Sequence, residues 1–369
     1  MERAIPRRIG YGVHVTESEA IPMGGPVMLQ TVRVAHGLTQ AALAKQAGMS
    51  QGLLSKAEAG AVELDDERWS RLAEQLDAPV RLLRLPVGSV VEPAVVFHRK
   101  RSSLQVSDAN RLRARLDLIQ LQVRGLVGER VRVGLERVEL DDDGWVTPQE
   151  AADKVRAALG VPEGPVSDLV ATLESGGVAV LRRDLGTTRM DALMSWPKGG
   201  RPVVLLGDHA PGDRQRFTVA HELGHAVMHA VPRDDQEMEA DQFASQFLMP
   251  QQEIARELDG VTVPKLARLK ARWGVSMAAL LRRARDLDKI NEAGYRRMNI
   301  EFSQAGYRTN EPVDVPVESP QLVSRCVQAR LQAGETASDL AYDAWMTTGA
   351  FVPAYLDEGM VNDYGRAHA

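Results

Sequence analysis

The chain has 369 residues, 44% of them hydrophobic and 26% charged, which is enough for two or three domains with real cores. Forty-five Lys and Arg against fifty Asp and Glu give a net charge of −5, which excludes a chain coated in positive charge for nucleic acid but leaves room for a local basic patch. Cys326 is the only cysteine, so an intrachain disulfide framework or a thiolate zinc ribbon is excluded, and no apolar run approaches the roughly 18 residues of a membrane span. The N-terminus carries arginines without a following apolar run, which argues against a secretory signal. A cytoplasmic protein with no membrane contact is expected.

Residues 1–25, rich in Gly and Pro, read as a flexible arm. Residues 26–86 read as short helices separated by glycines and caps. Val87 to Val96 is apolar and β-branched but interrupted by Pro93, and reads as an extended connector. A basic helix is expected over roughly 107–138. Between Arg99 and Arg132 nine Lys and Arg face only Asp108, Asp117 and Glu129, a local excess of six. The acidic turn from Glu139 to Gly144 breaks that segment, so residues 87–143 form a connector and a new domain begins at 144.

Thr147-Pro148 starts a helix that reaches about Leu159, and another follows over Ser167–Glu174. Gly177–Arg183, Ala192–Trp196 and Pro202–Leu206 are short β-rich runs. Helices are then expected over Asp213–Ala230 and Gln236–Leu248, the second stopped by Pro250, with two or three more before Asp288. Residues 291–369 read as a mostly helical C-terminal region, with helices around 320–332 and 336–347. The fold class expected is mainly α with a small β-sheet (α+β): a helical bundle, then a metal-binding domain over 144–290, then that C-terminal region.

In the N-terminal bundle, Thr39 is an N-cap candidate and Leu43, Ala44 and Ala47 form one apolar stripe. Gly48 suits the left-handed position that ends a helix, and Ser50 caps the next. Two short helices joined by such a turn make a helix-turn-helix, whose second helix is the candidate reader of a DNA major groove. The run Leu38–Lys56 resembles the Xre, lambda-repressor-like DNA-binding domains. That resemblance implies Gln40, Ser50, Gln51, Ser55 and Lys56 near DNA, the polar groups on base edges or phosphates and Lys56 on a phosphate. Two features depart from it: His36 stands where an arginine is usual, and residues 1–100 hold only 12 Lys and Arg against 11 Asp and Glu. A bundle used for dimerisation or for recognising a repressor is the competing reading.

His221-Glu222-Leu223-Gly224-His225 carries the strongest chemistry. Helical residues four apart share a face, so both imidazoles can reach one Zn²⁺, while Glu222 can take a proton from water. The plainer alternative is a buried helix with two hydrogen-bonded histidines. A third ligand is needed, and Glu237 and Asp241 share a face of the next helix. Glu237 then binds metal while Asp241 accepts the free ring N–H of a ligand histidine. Glu239 lies about 200° away around that helix and is the weaker ligand candidate. His229 is a candidate ligand or cleft residue, and better placed to cap the helix C-terminus.

Arg216–His229 followed by Glu237, Ala240–Ala244 and Phe247–Pro250 resembles the ImmA/IrrE family of metallopeptidases over roughly residues 145–290. The resemblance implies a zincin-like fold with His221 and His225 as zinc ligands, Glu222 as general base and a glutamate of the second helix, Glu237 by its spacing to Asp241, as third ligand. It also implies cleavage of a repressor in a stress or phage-type response. The expected protein is therefore a DNA-binding zinc endopeptidase. Its expected partners are operator DNA, a repressor-like substrate and a second copy of itself. The competing reading is a transcriptional regulator whose zincin domain is a non-catalytic sensor or dimerisation module.

Overall fold

The structure is a computed structural model that describes residues 27–85, 104–138, 140, 146–229 and 234–356. The expected arm over 1–25, the connector over 87–96 and the acidic turn over 141–144 lie outside the described residues.

Six helices come first: α1 (Val27–Ala35), α2 (Gln40–Gln46), α3 (Gln51–Glu58), α4 (Asp66–Gln75), α5 (Val80–Leu83) and α6 (Val106–Leu126). Then follow α7 (Pro148–Ala158), α8 (Leu169–Ser175), strands β1 (Ala179–Arg182), β2 (Ala192–Ser195) and β3 (Val203–Leu206), α9 (Gly212–Met228) and α10 (Gln236–Leu248). The remaining helices are α11 (Gln251–Ile254), α12 (Val263–Trp273), α13 (Met277–Asp286), α14 (Glu292–Gln304), α15 (Leu322–Gln332), α16 (Ala337–Asp343) and α17 (Thr348–Tyr355). The expected α+β class, mainly helical with one small sheet, holds.

The chain divides into two compact units, and the first is discontinuous in sequence. It takes α1–α5, α6 through Gly125, and α16–α17. Thr39 and Ser50 cap α2 and α3 by accepting the backbone N–H of Ala42 and Leu53. Gly48 between them adopts φ +65°, a conformation that costs an L side chain but not glycine. Leu29, Leu43, Leu54, Leu72, Leu76 and Leu83 form a closed core, which Leu121 of α6 joins. From the C-terminal helices, Thr347 donates to Asp77 at 2.7 Å and Tyr355 to Gln122 at 2.6 Å. The Arg81 guanidinium lies over the rings of Tyr342 and Trp345.

The second unit spans residues 126–334. Its sheet has the order β1-β3-β2, with β1 parallel to β3 (Ala179 opposite Val203) and β2 antiparallel to β3 (Ala192 opposite Leu206). The metal-motif helix α9 packs on β2, and α10 packs on both α9 and α7. Val180, Met194, Val204, Leu223, Phe243, Phe247 and Trp273 belong to one core. Polar pins fix α9 in this frame. Asp191, just before β2, accepts from Arg214 at 2.6 and 2.9 Å. Lys270 pairs with Asp213 at 2.6 Å, and Arg216 pairs with Glu318. Glu318 also accepts the first backbone N–H groups of α8, Glu311 those of α13 and Glu174 those of α15, each a carboxylate at the positive end of a helix.

Three expectations shift. The basic helix stops at Leu126 rather than running to 138, because Val131, Val133 and Leu135 alternate with exposed residues at the strand period of two. Within α6 itself, Arg111, Arg113 and Arg115 are half-buried between buried Leu112, Ala114 and Leu116, so they do not form a solvated basic face. The stretch from 291 onward is shared between the two units, and it contains α14, which the sequence reading passed over. Among the described residues no helix is long and apolar enough to cross a membrane.

Gly224 sets how closely α9 and α10 approach, since a Cβ there would lie 3.0 Å from the Phe243 ring. Gly224→Val should therefore destabilise the unit by about 1–3 kcal/mol, the usual range for overpacking a filled core. Chemical denaturation would show a lowered midpoint; an unchanged midpoint would contradict the tight crossing.

Candidate metal centre and helix-turn-helix surface

On α9 the four-residue spacing places His221 and His225 on one face, both buried, with Glu222 fully buried beside them. The two Nε2 atoms stand 3.1 Å apart. Across the crossing, α10 brings Glu237, whose carboxylate lies 3.6 Å from His221 Nε2 and 3.5 Å from His225 Nε2. Among the described residues these three are the one group of His, Cys, Asp or Glu side chains with a metal-holding arrangement, their ligand atoms all within 4.8 Å of one another.

That geometry suits zinc. Bonds of about 2.0–2.1 Å to a tetrahedral ion put ligand atoms about 3.3–3.4 Å apart, close to the observed 3.1–3.6 Å. Glu237 is 46% exposed while the two histidines are sealed in, so the cluster opens to solvent on the glutamate side. The charge agrees with the geometry. Burial alone would lower the basicity of His221, but the carboxylates of Asp241, Glu237 and Glu222 outweigh it and push its pKa up to about 9. A buried ring ringed by carboxylates favours a positive charge at this point.

Both histidines are held from behind. Asp241 Oδ1 lies 2.9 Å from His221 Nδ1, and its other oxygen accepts from Arg282 of α13 at 3.1 Å. His229, the C-cap of α9, has its ring 98% shielded from solvent and wedged between His225 and Glu239. Glu239 meets His229 and is not one of the three clustered groups. Arg282 escaped the sequence reading, and no local signal could have found it: it is 41 residues from Asp241 and on another helix.

In the first unit, Ser50, Gln51 and Lys56 are exposed and Ser55 is half-buried, all on α3 or at its start. The side-chain amide of Gln40 is engaged inside the unit, where it donates to Glu58 at 2.8 Å. Glu58 also takes a bidentate pair of bonds from Arg33, at 2.5 and 2.8 Å, which ties α3 to α1. Leaving either partner of such a buried pair alone is costly, so α3 is locked in register with the bundle that presents it.

Comparison with known proteins agrees with both halves of this geometry. Residues 29–83 match the family model described as helix-turn-helix, and residues 173–285 match the one described as the IrrE N-terminal-like domain. No curated protein matches the chain. The protein therefore carries, in this order, an Xre-type helix-turn-helix domain and an IrrE N-terminal-like domain of the ImmA/IrrE metallopeptidase family.

Proposed function

We propose that the protein is a DNA-binding regulator and a zinc-dependent endopeptidase that hydrolyses a peptide bond in a partner regulator, a repressor being the expected substrate. The observation that carries this reading is the convergence of His221, His225 and Glu237 on one point, with the Glu222 carboxylate buried on the same helix turn. His221, His225 and Glu237 hold the ion, and Asp241 orients His221. When bound, zinc polarises a scissile carbonyl and acidifies a water. Glu222 takes the proton that water loses as its oxygen attacks the carbonyl carbon, and returns it to the departing amine as the C–N bond breaks.

An extended substrate has a natural seat on β2. That strand ends the sheet order and packs against α9, which is where a peptide added as a further strand would run beside the metal-motif helix. In the other unit, Ser50, Gln51 and Ser55 supply polar contacts to bases or phosphates, and Lys56 a phosphate contact. Gln40 contributes chiefly through its bond to Glu58, which orients the start of α2.

Three experiments test the reading. Purified wild-type chain should take up about one zinc, and Glu237→Ala should lose or weaken it; a wild-type chain that stays metal-free after zinc is supplied would sink the peptidase assignment. Glu222→Ala should keep the metal and lose cleavage by at least 10²-fold, the low end of what general-base catalysis contributes. Equal cleavage by that variant would remove Glu222 from the reaction. Lys56→Ala should weaken DNA binding across sequences and reduce the slope of log K against log salt by about one. A footprint with an unaltered salt slope would put Lys56 off the DNA.

A further inference from the structure

The two ligand histidines are oriented by different devices. His221 meets a carboxylate directly, through Nδ1 and Asp241. At His225 the Nδ1 faces the Nδ1 of His229 at 2.9 Å, and the opposite nitrogen of that ring, Nε2, faces Glu239 Oε2 at 2.9 Å. Two ring nitrogens at that distance share a single hydrogen, so one donates and the other accepts. With a carboxylate as the acceptor, the hydrogen of a neutral His229 ring sits on Nε2 and its Nδ1 keeps a lone pair. His225 must then donate from Nδ1, and its own lone pair falls on Nε2, the atom that stands 3.1 Å from His221 Nε2 inside the metal cluster. The reversed sequence of bonds would aim an N–H of His225 into that cluster and block it.

We propose that His229 and Glu239 form a relay that fixes the tautomer and ring angle of His225, making both of them positioning residues for the metal. The relay rests on the assignment of His221, His225 and Glu237 as a zinc site. It accounts for three otherwise separate facts: a histidine sealed from solvent at the end of α9, a glutamate of α10 that meets that histidine and is not one of the clustered groups, and the four-residue step from His225 to His229 that continues the step from His221. One imidazole extends the reach of the carboxylate, because α10 delivers Glu237 to the metal and cannot deliver a second carboxylate to the back of His225 from the same face.

The test measures zinc dissociation constants by chelator competition on the full chain, together with the visible absorption of the cobalt-substituted protein. Glu239→Ala and His229→Leu should each weaken zinc 10- to 100-fold, the range for loss of an outer hydrogen-bond partner, and alter the cobalt spectrum. Glu239→Gln keeps an acceptor oxygen and should restore affinity to within a few-fold of wild type. If His229→Leu fails to fold, the two Glu239 variants decide the matter, with melting of the metal-free proteins as the control for a merely structural loss. Zinc affinity within twofold of wild type in Glu239→Ala, with an unchanged cobalt spectrum, would overturn the relay. So would a Gln variant as weak as the Ala variant. A wild-type chain that binds no zinc would instead overturn the metal site itself, and the two failures are therefore separable.

Discussion

The close crossing of α9 and α10 is the constraint on which the candidate metal centre depends. A three-point site built from two helices needs their backbones near enough for a glutamate on one to reach between two imidazoles on the other. Gly224 lies between the two histidines in sequence, so the helix that carries them also carries the gap into which the Phe243 ring settles. Phe243 stacks on Phe247 one turn later, and α7 packs on α10, so the ring that fills the gap is itself fixed. Chemistry and packing are written into the same five residues.

In both units ionised groups occupy poorly solvated positions with partners of fixed geometry. Lys270 meets two carboxylates, Glu318 serves a helix start and a buried arginine at once, and Glu58 is shared by Arg33 and Gln40. Such pairs add little net stability compared with apolar packing, but they are intolerant of a shift in register. They fix angles rather than supply bulk cohesion, which is what a site with tolerances of tenths of an ångström requires.

What could be read from sequence alone follows the distance over which each feature acts. The paired histidines, Glu222, and the Glu237–Asp241 pair are periodic features within single helices, and so are the Thr39 and Ser50 caps; all sit where the periodicity places them. The α14 signal was equally local, with Asn291 as N-cap and Tyr295, Met298 and Phe302 along one side, but it fell in a stretch without other landmarks. The alternation at Val131, Val133 and Leu135 was read as a continuation of the helix before it, although its period had changed. Arg282 behind Asp241, and Arg33 behind Glu58, were beyond reach: each joins helices distant in sequence, and charged residues of either sign are too common for their pairing to be inferred. The His225–His229–Glu239 contact lies between these cases. Its three residues were noticed, but their order of bonding requires the actual approach of the two helices.

The discontinuity of the first unit has a consequence for how the protein comes into being. A ribosome makes α1–α5 first, yet α16 and α17, whose Thr347 and Tyr355 close onto Asp77 and Gln122, are the last described helices to leave it. Residues 126–334 of the second unit, which hold the candidate metal centre, are synthesised in between. A chain cut off before α16 therefore exposes the surfaces around Arg81 and Gln122, although α1–α6 are all present.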